Sequence, residues 1–138
     1  MDILRCQALV LTCFDFRLHR KLAQELRKIG VAEYDLKSDA GGVKYLVSPE
    51  KPAVRAWFLE NIHLACRLHG VERVLLVSHN DCKAYGGDDK LGTLEEQVQL
   101  HRRELDSAKQ IIEAACPALL VEKYFAVIEG KEFTLRKL

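Results

Sequence analysis

Hydrophobic positions along this chain fall into two kinds of run, and the two kinds alternate. Ala8-Leu9-Val10-Leu11 and Val74-Leu75-Leu76-Val77 are apolar without interruption. Such runs suit strands of a parallel sheet that is covered on both faces. Elsewhere the apolar residues recur at helical spacing. One set is Leu18, Leu22, Leu26 and Ile29; a second is Val54, Trp57, Phe58, Ile62, Ala65 and Leu68; a third is Leu94, Val98, Leu105, Ile112 and Ala115. Gly30 and Gly70 stand where the first two helices should stop. Ser48-Pro49 is the expected entry to the second helix, an N-cap followed by proline. Thr93-Leu94-Glu95-Glu96 reads as a capping box opening the third, and Pro117 closes it.

Tyr34 to Lys37 reads as a weaker strand, and Ala118 to Val121, Phe125 to Ile128 and Phe133 to Arg136 as further short ones. Strands alternating with helices imply right-handed crossovers and an α/β, three-layer architecture. The expected sheet is mainly parallel, in the order 2-1-3-4, with room for an extra antiparallel edge strand. In such sheets ligands sit outside the carboxyl ends of strands where the order reverses. That point lies between the first and third strands, which end at Cys13 and His79.

A length of 138 residues, with 49% hydrophobic and 30% charged, fits one domain spanning residues 1–138. The net charge of +1, with both signs interspersed, gives no broad basic face for nucleic acid. No apolar run reaches the roughly 18 residues of a membrane span, and the N-terminus lacks a signal-peptide layout. The expected location is the cytoplasm. Five cysteines, an odd number, argue against a disulfide framework there.

Candidate chemistry gathers at the two strand ends. In Cys13-Phe14-Asp15-Phe16-Arg17, an extended backbone would turn Cys13, Asp15 and Arg17 to one side. His79-x-x-Cys82 follows the second apolar run. Two thiolates and an imidazole make a Cys₂His zinc set with a fourth position to fill. Arg17 would keep Asp15 ionised and oriented. Asp15 could then accept a hydrogen bond from zinc-bound water, or swing in as the fourth ligand and shut the site; the residues leave both open. Cys6, Cys66 and Cys116 read as core or near-surface thiols. His19, His63, His69 and His101 read as surface or packing residues, with His101 the one to watch. Trp57 and Phe58 read as core, and Gly86-Gly87 as a turn. A thiol enzyme, with Arg17 activating Cys13, ranks below zinc chemistry because no Cys-x-x-Cys is present.

Cys13-x-Asp15-x-Arg17, a glycine loop at Ala40-Gly41 and then His79-x-x-Cys82 together resemble the β-class carbonic anhydrases. The resemblance spans Leu9 to about Leu135. It implies that Cys13, His79 and Cys82 bind zinc and that Asp15 and Arg17 act as a dyad. It also implies a carbonate dehydratase, a lyase hydrating carbon dioxide to bicarbonate by zinc-bound hydroxide. Ala40, Gly41 and Gly42 would stand near the metal on the substrate pocket. Carbonyl sulfide or carbon disulfide would need the same chemistry; a non-catalytic zinc domain closed by Asp15 is the contrasting reading. The sequence departs from the family pattern at Phe16, usually serine, and at Ser38-Asp39-Ala40-Gly41-Gly42, usually Arg-Asn-Ala-Gly-Asn. Ser78 and Lys83 replace the usual glycines beside the second motif. Family members carry N-terminal helices that embrace a partner. This chain starts close to its first strand, so a homodimer would lack that embrace.

Overall fold

The computed structural model describes residues 4–138. Its sheet has five strands: β1 (Ala8–Cys13), β2 (Tyr34–Asp39), β3 (Arg73–His79), β4 (Leu120–Glu129) and β5 (Glu132–Lys137). Their order is β2-β1-β3-β4-β5. The first four are parallel, and β5 returns antiparallel along the edge. The expected order 2-1-3-4 and the antiparallel edge strand are both present.

The continuous apolar runs are divided between two cores by the two-residue period of a strand. Leu9, Leu11, Val74 and Leu76 face one side, against α3 (Lys44–Val47), α4 (Pro52–His69) and α6 (Leu94–Ala115). Ala8, Val10, Leu75 and Val77 face the other, against α1 (Phe16–His19) and α2 (Leu22–Lys28). Every residue of β1 is buried. A core side chain such as Ile62, with no exposed surface, would cost about 2–5 kcal/mol if cut to alanine.

Several local expectations are corrected. The segment after Cys13 is not extended: Asp15 is the N-cap of α1, so Arg17 lies in a helical turn. The first helix is two pieces, broken at Arg20 and Lys21, and Ile29 is exposed. Ser48 closes α3 instead of opening α4, which starts at Pro52, a proline whose missing N–H costs nothing there. Trp57 and Leu68 are also exposed, because the buried stripe of α4 is narrow, carried by Phe58, Ile62 and Ala65. The two strand-like runs after Pro117 are one strand, β4. The segment from Asn80 to Gly92 holds a 3-10 turn (Lys83–Tyr85) and α5 (Gly87–Leu91). Among the described residues no helix is long and apolar enough to cross a membrane.

Candidate metal centre

β1 and β3 are neighbours, paired from Leu9↔Val74 to Thr12↔Val77, so their carboxyl ends deliver Cys13 and His79 side by side. The turn after β3 brings Cys82 back to them. The donor atoms of Cys13, His79 and Cys82 all lie within 4.8 Å of one another, and all three residues are buried. The two sulfurs are 3.9 Å apart. Two Zn–S bonds of about 2.3 Å at a tetrahedral angle would place them roughly 3.8 Å apart.

The tautomer of His79 follows from its neighbour. Nδ1 lies 2.7 Å from the carbonyl oxygen of Asn80, which can only accept, so Nδ1 carries the proton. Nε2 is left as a bare lone pair, buried and without a hydrogen-bond partner. An unsatisfied buried acceptor costs about 1–3 kcal/mol unless something fills it. The two sulfurs are close enough to share one proton. That shared hydrogen bond holds the Cys13 thiol well below its ordinary value and pushes Cys82 up. The donor set, its spacing and the orphaned nitrogen all fit zinc.

Gly41 and Gly42 close the base of the centre. The Gly41 N–H donates to Cys13 Sγ at 3.4 Å. A Cβ on Gly42 would come within 3.2 Å of the Cys13 backbone nitrogen, and φ there is +64°. The loop therefore packs against Cys13. A cavity of about 390 Å³ over the site is lined instead by Cys13, Phe14, Asp15, Phe16, Lys83 and Ala84; Ala40, Gly41 and Gly42 are not on its wall. Phe14 and Phe16 are exposed beside it.

Asp15 and Arg17 meet through the helix start. As N-cap, Asp15 accepts from the Arg17 backbone N–H through Oδ1 at 2.8 Å. The guanidinium then forks onto both carboxylate oxygens, Nε to Oδ1 at 3.0 Å and Nη2 to Oδ2 at 2.6 Å. That fork holds the Asp15 carboxyl below the usual carboxylate range and pushes Arg17 up. Asp15 is not one of the cluster of converging donors.

The sequence reading missed Asp81. It is the one non-glycine residue with positive φ, +52°, among the described residues. Its Oδ2 and carbonyl oxygen accept from Arg17 at 2.9 and 3.0 Å, and its Oδ1 accepts from Lys83 at 2.9 Å and from the Asp88 N–H at 2.8 Å. Lys83 leads the interactions that hold its carboxyl far below the ordinary value. Its own N–H donates to Gln97 of α6, a buried side chain that also donates to Asp88 and Gly92. Only its place between His79 and Cys82 could have flagged it. His101 is buried between Tyr85 and Phe125, and burial holds it neutral, with a pKa of about 4. His19 Nε2–H donates to the Cys13 carbonyl oxygen at 2.9 Å, since a carbonyl only accepts.

A crystal structure of β-carbonic anhydrase isoform I from Trichomonas vaginalis matches with a TM-score of 0.57 and 14% identity, covering 98% of this chain and 86% of that one. The β-carbonic anhydrase CafA of Aspergillus fumigatus matches at 0.53 and 18%, covering 98% and 76%. At these identities the likeness is one of fold. An uncharacterized protein of Rickettsia bellii is 25% identical over 126 residues, which are 88% of this chain and 77% of that protein. The model of the family described as "Putative carbonic anhydrase" matches residues 4–133, and the chain belongs to that family.

Proposed function

We propose that the protein is a zinc-dependent carbonic anhydrase, hydrating carbon dioxide to bicarbonate, with Cys13, His79 and Cys82 as ligands and Asp15 and Arg17 as the catalytic dyad. One observation carries this reading: Asp15 is held by Arg17 beside the converging donors and outside them, which leaves a fourth position. When bound, zinc supplies the Lewis acid that makes water nucleophilic near neutral pH.

The chain's own groups supply orientation. Arg17 occupies both acceptor sites of Oδ1 and one of Oδ2, so the remaining lone pair on Oδ2 is the acceptor for a water O–H. Asp15 stays ionised and fixes the direction from which the nucleophile approaches. The apolar mouth at Phe14 and Phe16 suits a small uncharged substrate. A centre closed by Asp15, as in a non-catalytic domain, would require that three hydrogen bonds to Arg17 be given up.

The test is carbon dioxide hydration by zinc-loaded protein beside Asp15→Asn. Wild type should be faster by roughly 10²–10⁴-fold, the usual worth of a positioned proton acceptor. A wild type no faster than the variant removes the proposal. Carbonyl sulfide and carbon disulfide, also linear and apolar, run in the same assay as competing substrates.

A further inference from the structure

A second group of metal-type donors lies at the opposite end of the sheet. Cys6, Asp35 and His69 come from three separate segments, the approach to β1, β2 itself and the last residue of α4. Their donor atoms lie within 4.8 Å of one another. The backbone fixes them: the Cys6 N–H donates to the His69 carbonyl at 3.1 Å, and Leu9 pairs with Asp35 in the sheet. Six residues of near-extended chain lie between Cys6 and Cys13, a span of roughly 20 Å, so no ion could serve both groups.

The geometry points to a second metal site here, taking a divalent cation of borderline softness, zinc or cobalt(II), on Cys6, Asp35 and His69. A thiolate, a carboxylate and an imidazole are the three donor types that zinc accepts together. His69 Nδ1 lies 2.8 and 2.9 Å from the two Asp35 oxygens. Two bonds of about 2.0 Å at a tetrahedral angle span roughly 3.3 Å, so a cation replaces that proton with a few tenths of an ångström of widening. The cluster stands at the carboxyl end of the 18-residue α4, where the helix dipole favours positive charge. Thiolate and carboxylate balance a divalent ion, and Arg5 and Glu33 on the same wall balance each other. A cavity of about 500 Å³ opens beside the three donors and gives room for solvent in the remaining position.

Cobalt(II) titration tests the site, read by stoichiometry and by the thiolate-to-cobalt charge-transfer band. Wild type should take two equivalents, the second released first by chelator because its donors are only half-buried. Cys6→Ser and His69→Asn should each take one, with Cys6→Ser losing the charge-transfer intensity of the weaker site. Cys82→Ser should keep the weaker equivalent, so loss of the buried centre and loss of this one are read separately. Circular dichroism of each variant guards against misfolding, and Cys6→Ser changes one atom. Wild type binding one equivalent, or two that both survive Cys6→Ser and His69→Asn, overturns the proposal.

Discussion

The two ends of the sheet carry similar donors in opposite physical states. At the carboxyl ends of β1 and β3, Cys13, His79 and Cys82 are buried and His79 Nε2 has no partner. At the amino end, Cys6, Asp35 and His69 are half-buried, and the imidazole and carboxylate satisfy each other. The first arrangement is costly without a cation; the second is comfortable with a proton. Burial and unmet valence, more than residue type, separate the proposed zinc centre from the proposed second site.

The largest effect should come from breaking the buried end. Cys82→Ser should lower zinc affinity by more than the roughly 10–100-fold that loss of an outer partner causes, as read by competition against a chelator. Zinc held as tightly as in wild type would mean that the ligand set is wrong. Next comes the dyad. Arg17→Lys cannot reproduce the fork onto Asp15 and Asp81, so it should cost about 1–3 kcal/mol in chemical denaturation while zinc content stays at the wild-type level.

A smaller effect is carried by Asp81. Both Asp15 and Asp81 have folded values depressed below the unfolded value of about 3.9. Their contribution is therefore complete above that value and is lost as pH falls through the folded ones. Wild type should lose more stability than Asp81→Asn between about pH 4 and pH 2, with the two converging at the acid end. Parallel curves would show that Asp81 does not stabilise the fold through its charge. The smallest effect belongs to the amino end. Cys6→Ser in metal-free protein should shift stability by no more than about 0.5 kcal/mol, less than Cys82→Ser at the buried end.

Hydrophobic pattern carried most of the architecture, because a run buried on both faces and a stripe at helical spacing each have few ways to be satisfied. Leu9, Leu11, Val74 and Leu76 went where continuous apolar runs must go. Pattern erred where one side chain outvoted it. Trp57 sits at core spacing yet is exposed, since α4 buries a narrow stripe. Asp15 and Arg17 meet as predicted, though through an N-cap and a helical turn, because a carboxylate satisfying a helix's first N–H groups ends the strand.

What the amino-acid order determined by itself was the alternation of strands and helices, the strand ends at which chemistry gathers, and the donor types present there. The tertiary structure alone decided that His79 offers Nε2, since the carbonyl holding Nδ1 comes from the local turn. It also decided that Asp15 is pinned away from the donors, that Asp81 braces Arg17, and that Cys6, Asp35 and His69 meet. The first two outcomes rest on the conformation of a single turn and the last two on contacts between segments distant along the chain, and directional contacts of a few ångströms leave no periodic trace in a sequence.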